Sequence, residues 1–246
     1  RRVLFRSTKY FPDRNGIEWD FDGKILSEKR LDGNGGFESP ECVEIMNGCD
    51  IVVTNPPFSL FRPFISQIMK TGKKCLVIGN SNAITYKEIF PLLQTNQLWL
   101  GITRPKVFEV PISEIENPKT QFESDGKFYQ RFGNICWFTN LMHGSRSGGL
   151  CLPKKYYGNE DKYPVYDNCD AIEIGHLTKN GKWEGSLDEL PGDYFGLMGV
   201  PITFLDNYNP EQFEIVRFRK GDDGKDLTFN GYSPYFRILI KRKTRQ

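Results

Sequence analysis

The sequence predicts an α/β fold in its first half and a smaller α+β region in its second half. Two observations support this division. Before about residue 140, short apolar runs alternate with stretches of helical periodicity, which is typical of a sheet covered by helices. After His143, helical periodicity is scarce, and glycine, proline, tyrosine and asparagine become frequent. We therefore expect a core at residues 1–140 and a C-terminal region at residues 141–246.

The elements of the first half follow from the spacing of its apolar residues. Strands are predicted at three apolar runs, which are residues 51–54, 75–79 and 98–102. Helices are predicted where apolar residues recur every three or four positions, at residues 59–70 and 85–94. Gly72 ends the first of these helices, and Pro91 is expected to kink or shorten the second.

Less regular segments complete the predicted fold. Residues 104–127 are polar and contain prolines, so we expect an irregular insertion there. Residues 134–139 form a further apolar run, which predicts a strand that lies antiparallel at the edge of the sheet. Short strands are predicted in the C-terminal region at residues 170–174, 213–218 and 235–240.

The composition argues against several classes of protein. The six cysteines form no CxxC pair, and the sequence shows no signal peptide or long apolar span, so we expect a reduced, cytoplasmic protein without a membrane segment. The two histidines, His143 and His176, are isolated, which argues against a histidine-based metal site or a Ser-His triad. The net charge of +2 neither requires nor excludes a nucleic-acid partner.

The most informative motif is Asn55-Pro56-Pro57-Phe58, which directly follows a predicted strand. The carboxyl end of such a strand is where ligands bind in α/β proteins, and the two prolines make the loop rigid. The Asn55 side-chain oxygen and the Pro56 carbonyl can accept both hydrogens of an exocyclic amine such as adenine N6. Phe58 can stack on a base that has been flipped out of a duplex. The alternative is that this motif has no catalytic role and only forms a turn after the strand.

Longer segments resemble the EcoRI-type family of type II adenine DNA methyltransferases. The similarity extends over nearly all of the chain from about residue 33 onward, and several long motifs occur in the family's order. The segments that carry it are residues 50–61, 84–90, 134–141, 156–172, 199–215 and 224–241.

This resemblance implies a fold of the S-adenosylmethionine-dependent type, which is a mostly parallel sheet with helices on both faces. It implies methylation of adenine N6 in a short double-stranded DNA site, protecting that site from a cognate restriction endonuclease. The catalytic residues would be Asn55, Pro56, Pro57 and Phe58, and the C-terminal region would recognise the DNA target. The loop near the cofactor adenine would include Asp32, Asn34 and Phe37, and no metal is implied.

The sequence departs from the family pattern in two places. The position before Phe37, where an acidic residue is expected, is Gly36. No strand and loop that would hold the methionine part of the cofactor are found upstream, and the first residue is Arg1. We therefore expect a truncated chain that binds S-adenosylmethionine weakly or not at all. Two alternatives therefore stay open: an inactive DNA-binding fragment, and a methyltransferase that acts on protein or RNA.

Overall fold

The structure is a computed structural model that describes residues 2–5, 17–21, 26–33, 35–110, 120–219, 227–234 and 236–244. The chain divides into two compact units. The first unit comprises Arg1–Asn80 and Pro105–Leu141, and the second comprises Ser81–Arg104 and Met142–Gln246. The functional roles that the sequence assigns to residues 1–140 and 141–246 stay predictions.

The strands and helices of the described ranges are numbered in chain order. The strands are β1 (Arg2–Phe5), β2 (Ile17–Phe21), β3 (Leu26–Arg30), β4 (Ile51–Thr54), β5 (Lys74–Asn80), β6 (Trp99–Leu100), β7 (Val107–Glu109), β8 (Gln121–Ser124), β9 (Lys127–Arg131), β10 (Ile135–Thr139), β11 (Ala171–Glu173), β12 (His176–Leu177), β13 (Trp183–Glu184), β14 (Leu197–Pro201), β15 (Phe213–Arg219) and β16 (Arg237–Arg242). The α-helices are α1 (Pro40–Asn47), α2 (Phe61–Thr71), α3 (Phe90–Gln94) and α4 (Gly144–Ser147).

The core of the first unit contains β4, β5 and β10. Strand β4 pairs in parallel with β5, and β10 pairs antiparallel with β5. Asn140 ties this sheet together at one end, because its Oδ1 accepts the Cys75 N–H at 2.7 Å and its Nδ2 donates to the Lys73 carbonyl at 2.9 Å. Burial raises the pKa of the Cys75 thiol to about 11, as expected for a core cysteine.

Helix α2 packs on this sheet through one apolar face. Its buried residues are Phe61, Phe64, Ile65 and Ile68. The Phe61 ring lies 4.8 Å from that of Phe138, centroid to centroid, and a Cβ added to Gly79 would be 2.4 Å from the Phe61 ring. Only glycine at position 79 lets the helix approach the strand this closely. The helix ends at Gly72, whose φ of +65° is the left-handed conformation of a helix C-cap.

Several sequence predictions for the first unit are confirmed. Residues 51–54 form β4, residues 75–79 lie within β5, and the run at 134–139 forms β10, which is antiparallel to β5. The predicted edge position of this last strand is wrong, because β10 is an inner strand of its sheet. The helix predicted at 59–70 is α2, preceded by a single 3-10 turn at Phe58–Leu60.

The irregular insertion predicted at residues 104–127 is wrong for the described part of that segment. Strands β7, β8 and β9 form an antiparallel sheet in the order β7-β9-β8. Asp125 and Gly126 connect β8 to β9, and both have positive φ, at 53° and 71°. An Asp-Gly pair between two strands is the sequence signal of a two-residue hairpin turn. This signal is a better guide here than the polar composition from which an irregular segment was predicted.

The helix predicted at residues 85–94 is also wrong in its first half. The chain forms a 3-10 turn at Ser81–Thr85, and α3 begins only at Phe90. Pro91 lies in the first turn of α3, where its missing N–H is not needed. A helix that began at Thr85 would place Pro91 in its interior, which costs a hydrogen bond and causes a clash.

The second unit contains a sheet in the order β11-β14-β16-β15. Strand β11 is parallel to β14, and the other two pairs are antiparallel. These strands confirm those predicted at 170–174, 213–218 and 235–240, with shifted ends, whereas the strand predicted at 98–102 is shortened to β6. The described residues thus form a mixed α/β fold, and the mostly parallel sheet stays a prediction.

A buried charge network lies within the second unit. Glu173 is 0% exposed, and Arg237 donates to it from Nε at 2.8 and 3.0 Å and from Nη2 at 2.8 Å. The Tyr166 hydroxyl and the Trp183 indole N–H also donate to this carboxylate. Burial next to Glu173 raises the pKa of Tyr166. The network joins β11 to β16, which are separated by more than sixty residues along the chain.

None of the helices in the described ranges has the length and apolar character that crossing a bilayer requires.

Candidate active site

The Asn55-Pro56-Pro57-Phe58 loop follows the carboxyl end of β4. Asn55, Pro57 and Phe58 are exposed, whereas Pro56 is buried and anchors the loop. The Phe58 side chain is 41% exposed, which argues against a purely structural role in the core. Three of the four sequence-predicted catalytic residues are therefore accessible, and Pro56 is not.

Hydrogen bonding leaves two acceptors in this loop available. The Pro57 carbonyl accepts the Leu60 N–H at 2.9 Å, and this bond closes the 3-10 turn that begins at Phe58. In the described part of the chain, neither the Asn55 side chain nor the Pro56 carbonyl has a hydrogen-bond partner. Two acceptors one residue apart on a proline-stiffened loop can bind two hydrogens of one amino group.

Helix α2 fixes the end of the loop, because the helix begins one 3-10 turn after it and packs in the core. It begins at Phe61, directly after the 3-10 turn, and Phe61 is 1% exposed between the sheet and the helix. Because Phe61 packs on Phe138 and over Gly79, the start of the helix has little freedom to move. The position of Phe58 is thus set by core packing three residues away.

The predicted cofactor loop precedes α1, a helix that the sequence analysis did not predict. Leu31 is buried and packs with Cys42 and Ile45 of α1. The Glu41 carboxylate accepts the N–H groups of Asp32 and Gly33, both at 2.9 Å. These two hydrogen bonds hold the pKa of Glu41 below its usual range. Asn34 lies outside the described residues.

Phe37 connects this loop to α2. Its ring packs edge-on against that of Phe64, with centroids 5.0 Å apart. The predicted cofactor loop therefore contacts α2 through Phe37, and the predicted catalytic loop leads through the 3-10 turn into the same helix. The Asp32 side chain, by contrast, is exposed.

Glu41 is the residue at this site that sequence reasoning missed. The signal was present in Ser39-Pro40-Glu41, because serine before proline and an acidic residue is a typical helix start. In the structure, Ser39 caps α1 by accepting the Cys42 N–H at 3.3 Å, with Pro40 in the first turn.

Comparison with known proteins places these features in a family. The family model described as adenine-specific methyltransferase EcoRI matches residues 9–243. The type II methyltransferase M.EcoRI of Escherichia coli is 46% identical over 236 residues, which are 94% of this chain and 69% of that protein. The type II methyltransferase M.MpnI of Mycoplasma pneumoniae is 40% identical over 253 residues, covering 94% of this chain and 76% of that protein.

A further relative is the type II methyltransferase M.MgeORF184P of Mycoplasma genitalium, which is 38% identical over 247 residues, or 92% of this chain and 75% of that protein. No solved structure matches the chain. The family match extends over both structural units and includes the Asn55–Phe58 loop. The chain belongs to the EcoRI-type family of adenine-specific methyltransferases, which serve restriction-modification systems.

Proposed function

We propose that this protein transfers a methyl group from S-adenosylmethionine to adenine N6 in a specific short site of double-stranded DNA. It does so as the modification partner of a cognate restriction endonuclease. The observation that carries the proposal is the Asn55–Phe58 loop, whose two acceptors have no partner among the described residues, in a chain of this family.

The loop is suited to activate an amine that is a poor nucleophile. The lone pair of adenine N6 is delocalised into the ring, which keeps the nitrogen planar. When the Asn55 Oδ1 and the Pro56 carbonyl each accept one N6 hydrogen, they draw the nitrogen toward a tetrahedral geometry and orient its lone pair. As the new N–C bond forms, the bond between the methyl carbon and the donor sulfur would break and the donor would leave as a neutral thioether. One N6 hydrogen then leaves as a proton to solvent at the exposed loop.

Phe58 supplies the surface on which the target base rests. A base in a duplex must leave the helical stack before its amino group can reach Asn55. The exposed Phe58 ring, held by the 3-10 turn and by α2, offers an aromatic face for the flipped adenine.

The cofactor loop fits a methyl donor that contains adenine. S-adenosylmethionine, when bound, supplies a methyl group on a positively charged sulfur. We assign Asp32, Asn34 and Phe37 to the adenine end of the donor. The half-buried Phe37 ring, fixed against Phe64, is the observation that supports this fit.

The proposal also extends to the fold. The parallel pair β4–β5 would be part of the mostly parallel sheet of S-adenosylmethionine-dependent methyltransferases. We assign the reading of the DNA target to residues 141–246.

An acceptor-competition assay tests this function. The protein is incubated with S-adenosylmethionine labelled in its methyl group and with duplex DNA, RNA or a protein mixture. We expect label in duplex DNA alone, and protection of that DNA from restriction enzymes that share one short site. Label in RNA or protein, with none in DNA, would overturn the proposal.

A further inference from the structure

The carboxylate of Glu41 holds two consecutive backbone amides of the loop before α1. Oε1 accepts the Asp32 N–H and Oε2 accepts the Gly33 N–H, each at 2.9 Å. A Cβ added to Gly33 would be 3.2 Å from Oε2, so the carboxylate lies directly against this part of the backbone. Both oxygens of one side chain therefore fix the same peptide segment.

Two other contacts hold the loop at its ends. Leu31, which is 2% exposed, anchors the start of the loop against Cys42 and Ile45 of α1. Phe37 anchors its end against Phe64 of α2, the helix that follows Asn55–Phe58. Glu41 acts between these anchors, in a segment that contains Gly33, Gly35 and Gly36. Glycine-rich backbone loses much entropy on ordering, so this stretch depends on explicit hydrogen bonds.

We propose that Glu41 is a positioning residue for the methyl donor, because it fixes the Asp32 and Gly33 amides of the loop whose Phe37 packs on α2. This inference rests on the proposed function, which assigns this loop to the adenine end of S-adenosylmethionine. Glu41 has no direct contact with the reacting atoms in this account. Its removal should therefore weaken donor binding more than it slows methyl transfer.

A substitution by glutamine isolates this role with little change in shape. The amide of glutamine has one acceptor oxygen and one NH2 group, so only one of the two loop N–H groups keeps an acceptor and one hydrogen bond is lost. Glu44→Gln is a matched control, since Glu44 is an exposed residue of the same helix and its replacement removes the same charge. Urea unfolding of each variant checks that all of them are folded.

The test combines calorimetric titration with steady-state kinetics. For Glu41→Gln and Glu41→Ala, we expect the dissociation constant and the KM for S-adenosylmethionine to rise about three- to tenfold. We expect kcat at saturating donor, and the affinity for DNA, to stay near those of Glu44→Gln. Hydrogen exchange at the Asp32 and Gly33 amides should become faster in the Glu41 variants alone.

Three results would overturn the inference. A wild-type dissociation constant in Glu41→Gln would refute it while leaving the proposed function intact. A loss of kcat with unchanged donor affinity would show that Glu41 acts on turnover and not on donor binding. Absence of S-adenosylmethionine binding by the wild-type protein would refute the proposed function, and this inference with it.

Discussion

Phe58 is exposed on a loop whose neighbours are tightly packed. Its side chain is 41% exposed, although Phe61 three residues later is 1% exposed. Apolar burial favours placing such a ring in the core, and the exposure of Phe58 next to a rigid support is the observation on which its proposed binding role rests. Asn55 is exposed as well, and its side chain has no hydrogen-bond partner among the described residues.

We predict that Phe58→Ala weakens capture of the flipped adenine, whereas Phe58→Tyr retains most of it. Stacking of a base on an aromatic ring contributes roughly 1–3 kcal/mol. A duplex with 2-aminopurine at the target position reports the flipped state as increased fluorescence. An equal increase for wild type and Phe58→Ala would contradict the binding role.

The ionisation of Glu41 gives a second prediction. Hydrogen bonds from the Asp32 and Gly33 N–H groups lower its pKa in the folded protein from the usual 4.5. The unfolded state therefore binds more protons at low pH, so this stabilisation is present above pH 4.5 and lost as pH falls through the lowered pKa. The difference in unfolding free energy between wild type and Glu41→Gln should be constant between about pH 5 and 7 and shrink in stronger acid. A difference that persists in strong acid would contradict this assignment.

Glu173 is a fully buried carboxylate of the second unit, and four hydrogen bonds from three side chains reach it. We predict that Glu173→Gln lowers the free energy of unfolding by about 3–5 kcal/mol, because Arg237 would stay buried without its counter-charge. Urea denaturation measures the change. Glu184→Gln, at an exposed position, is the control and should differ little from wild type. Similar unfolding curves for Glu173→Gln and the control would show that the network contributes little.

At the scale of elements, the contact of α2 with β5 connects packing to the active site. We predict that Gly79→Ala destabilises the fold by about 1–3 kcal/mol and reduces methylation, because the new Cβ would push against Phe61 and shift α2. Gly133→Ala is the matched control, since no atom lies within 4 Å of its added Cβ.

The double variant Gly79→Ala/Phe61→Leu separates this clash from other effects of the new methyl group. Removing the ring should restore part of the unfolding free energy lost in Gly79→Ala. If Gly79→Ala matches Gly133→Ala in stability and activity, the contact is not as close as the structure indicates.

Elements with strong local patterns could be predicted from the sequence. The β-branched run at 51–54 and the helical spacing after Phe58 each point to one structure, and both are confirmed. The insertion was mispredicted because the Asp125-Gly126 turn decides the hairpin. The shortening of the second helix by Pro91 was predicted, but its start at Phe90 was not. Composition averaged over a segment hides such decisive positions.

At the scale of the whole molecule, the candidate catalytic motif Asn55–Phe58 could be predicted from the sequence, whereas the long-range contacts within each unit could not. Glu41 reaches back across eight and nine residues to Gly33 and Asp32, and Arg237 reaches Glu173 across 64 residues. Neither sequence separation matches the spacing of a helix or a strand, so no local pattern in the sequence predicts these contacts. Local sequence patterns also do not predict that residues 81–104 belong to the second unit, because Pro105–Leu141 separates that segment from Met142–Gln246 in the chain.

The central claim is that Asn55 helps to methylate adenine N6 in duplex DNA. The most direct measurement is mass spectrometry of duplex DNA that has been incubated with the protein and S-adenosylmethionine and digested to nucleosides. We predict N6-methyladenine with wild type and with Asn47→Ala, an exposed control position, and a rate about 100- to 1000-fold lower with Asn55→Ala at unchanged DNA binding. Near-normal N6-methyladenine formation by Asn55→Ala, or methylation of another base by wild type, would contradict the account.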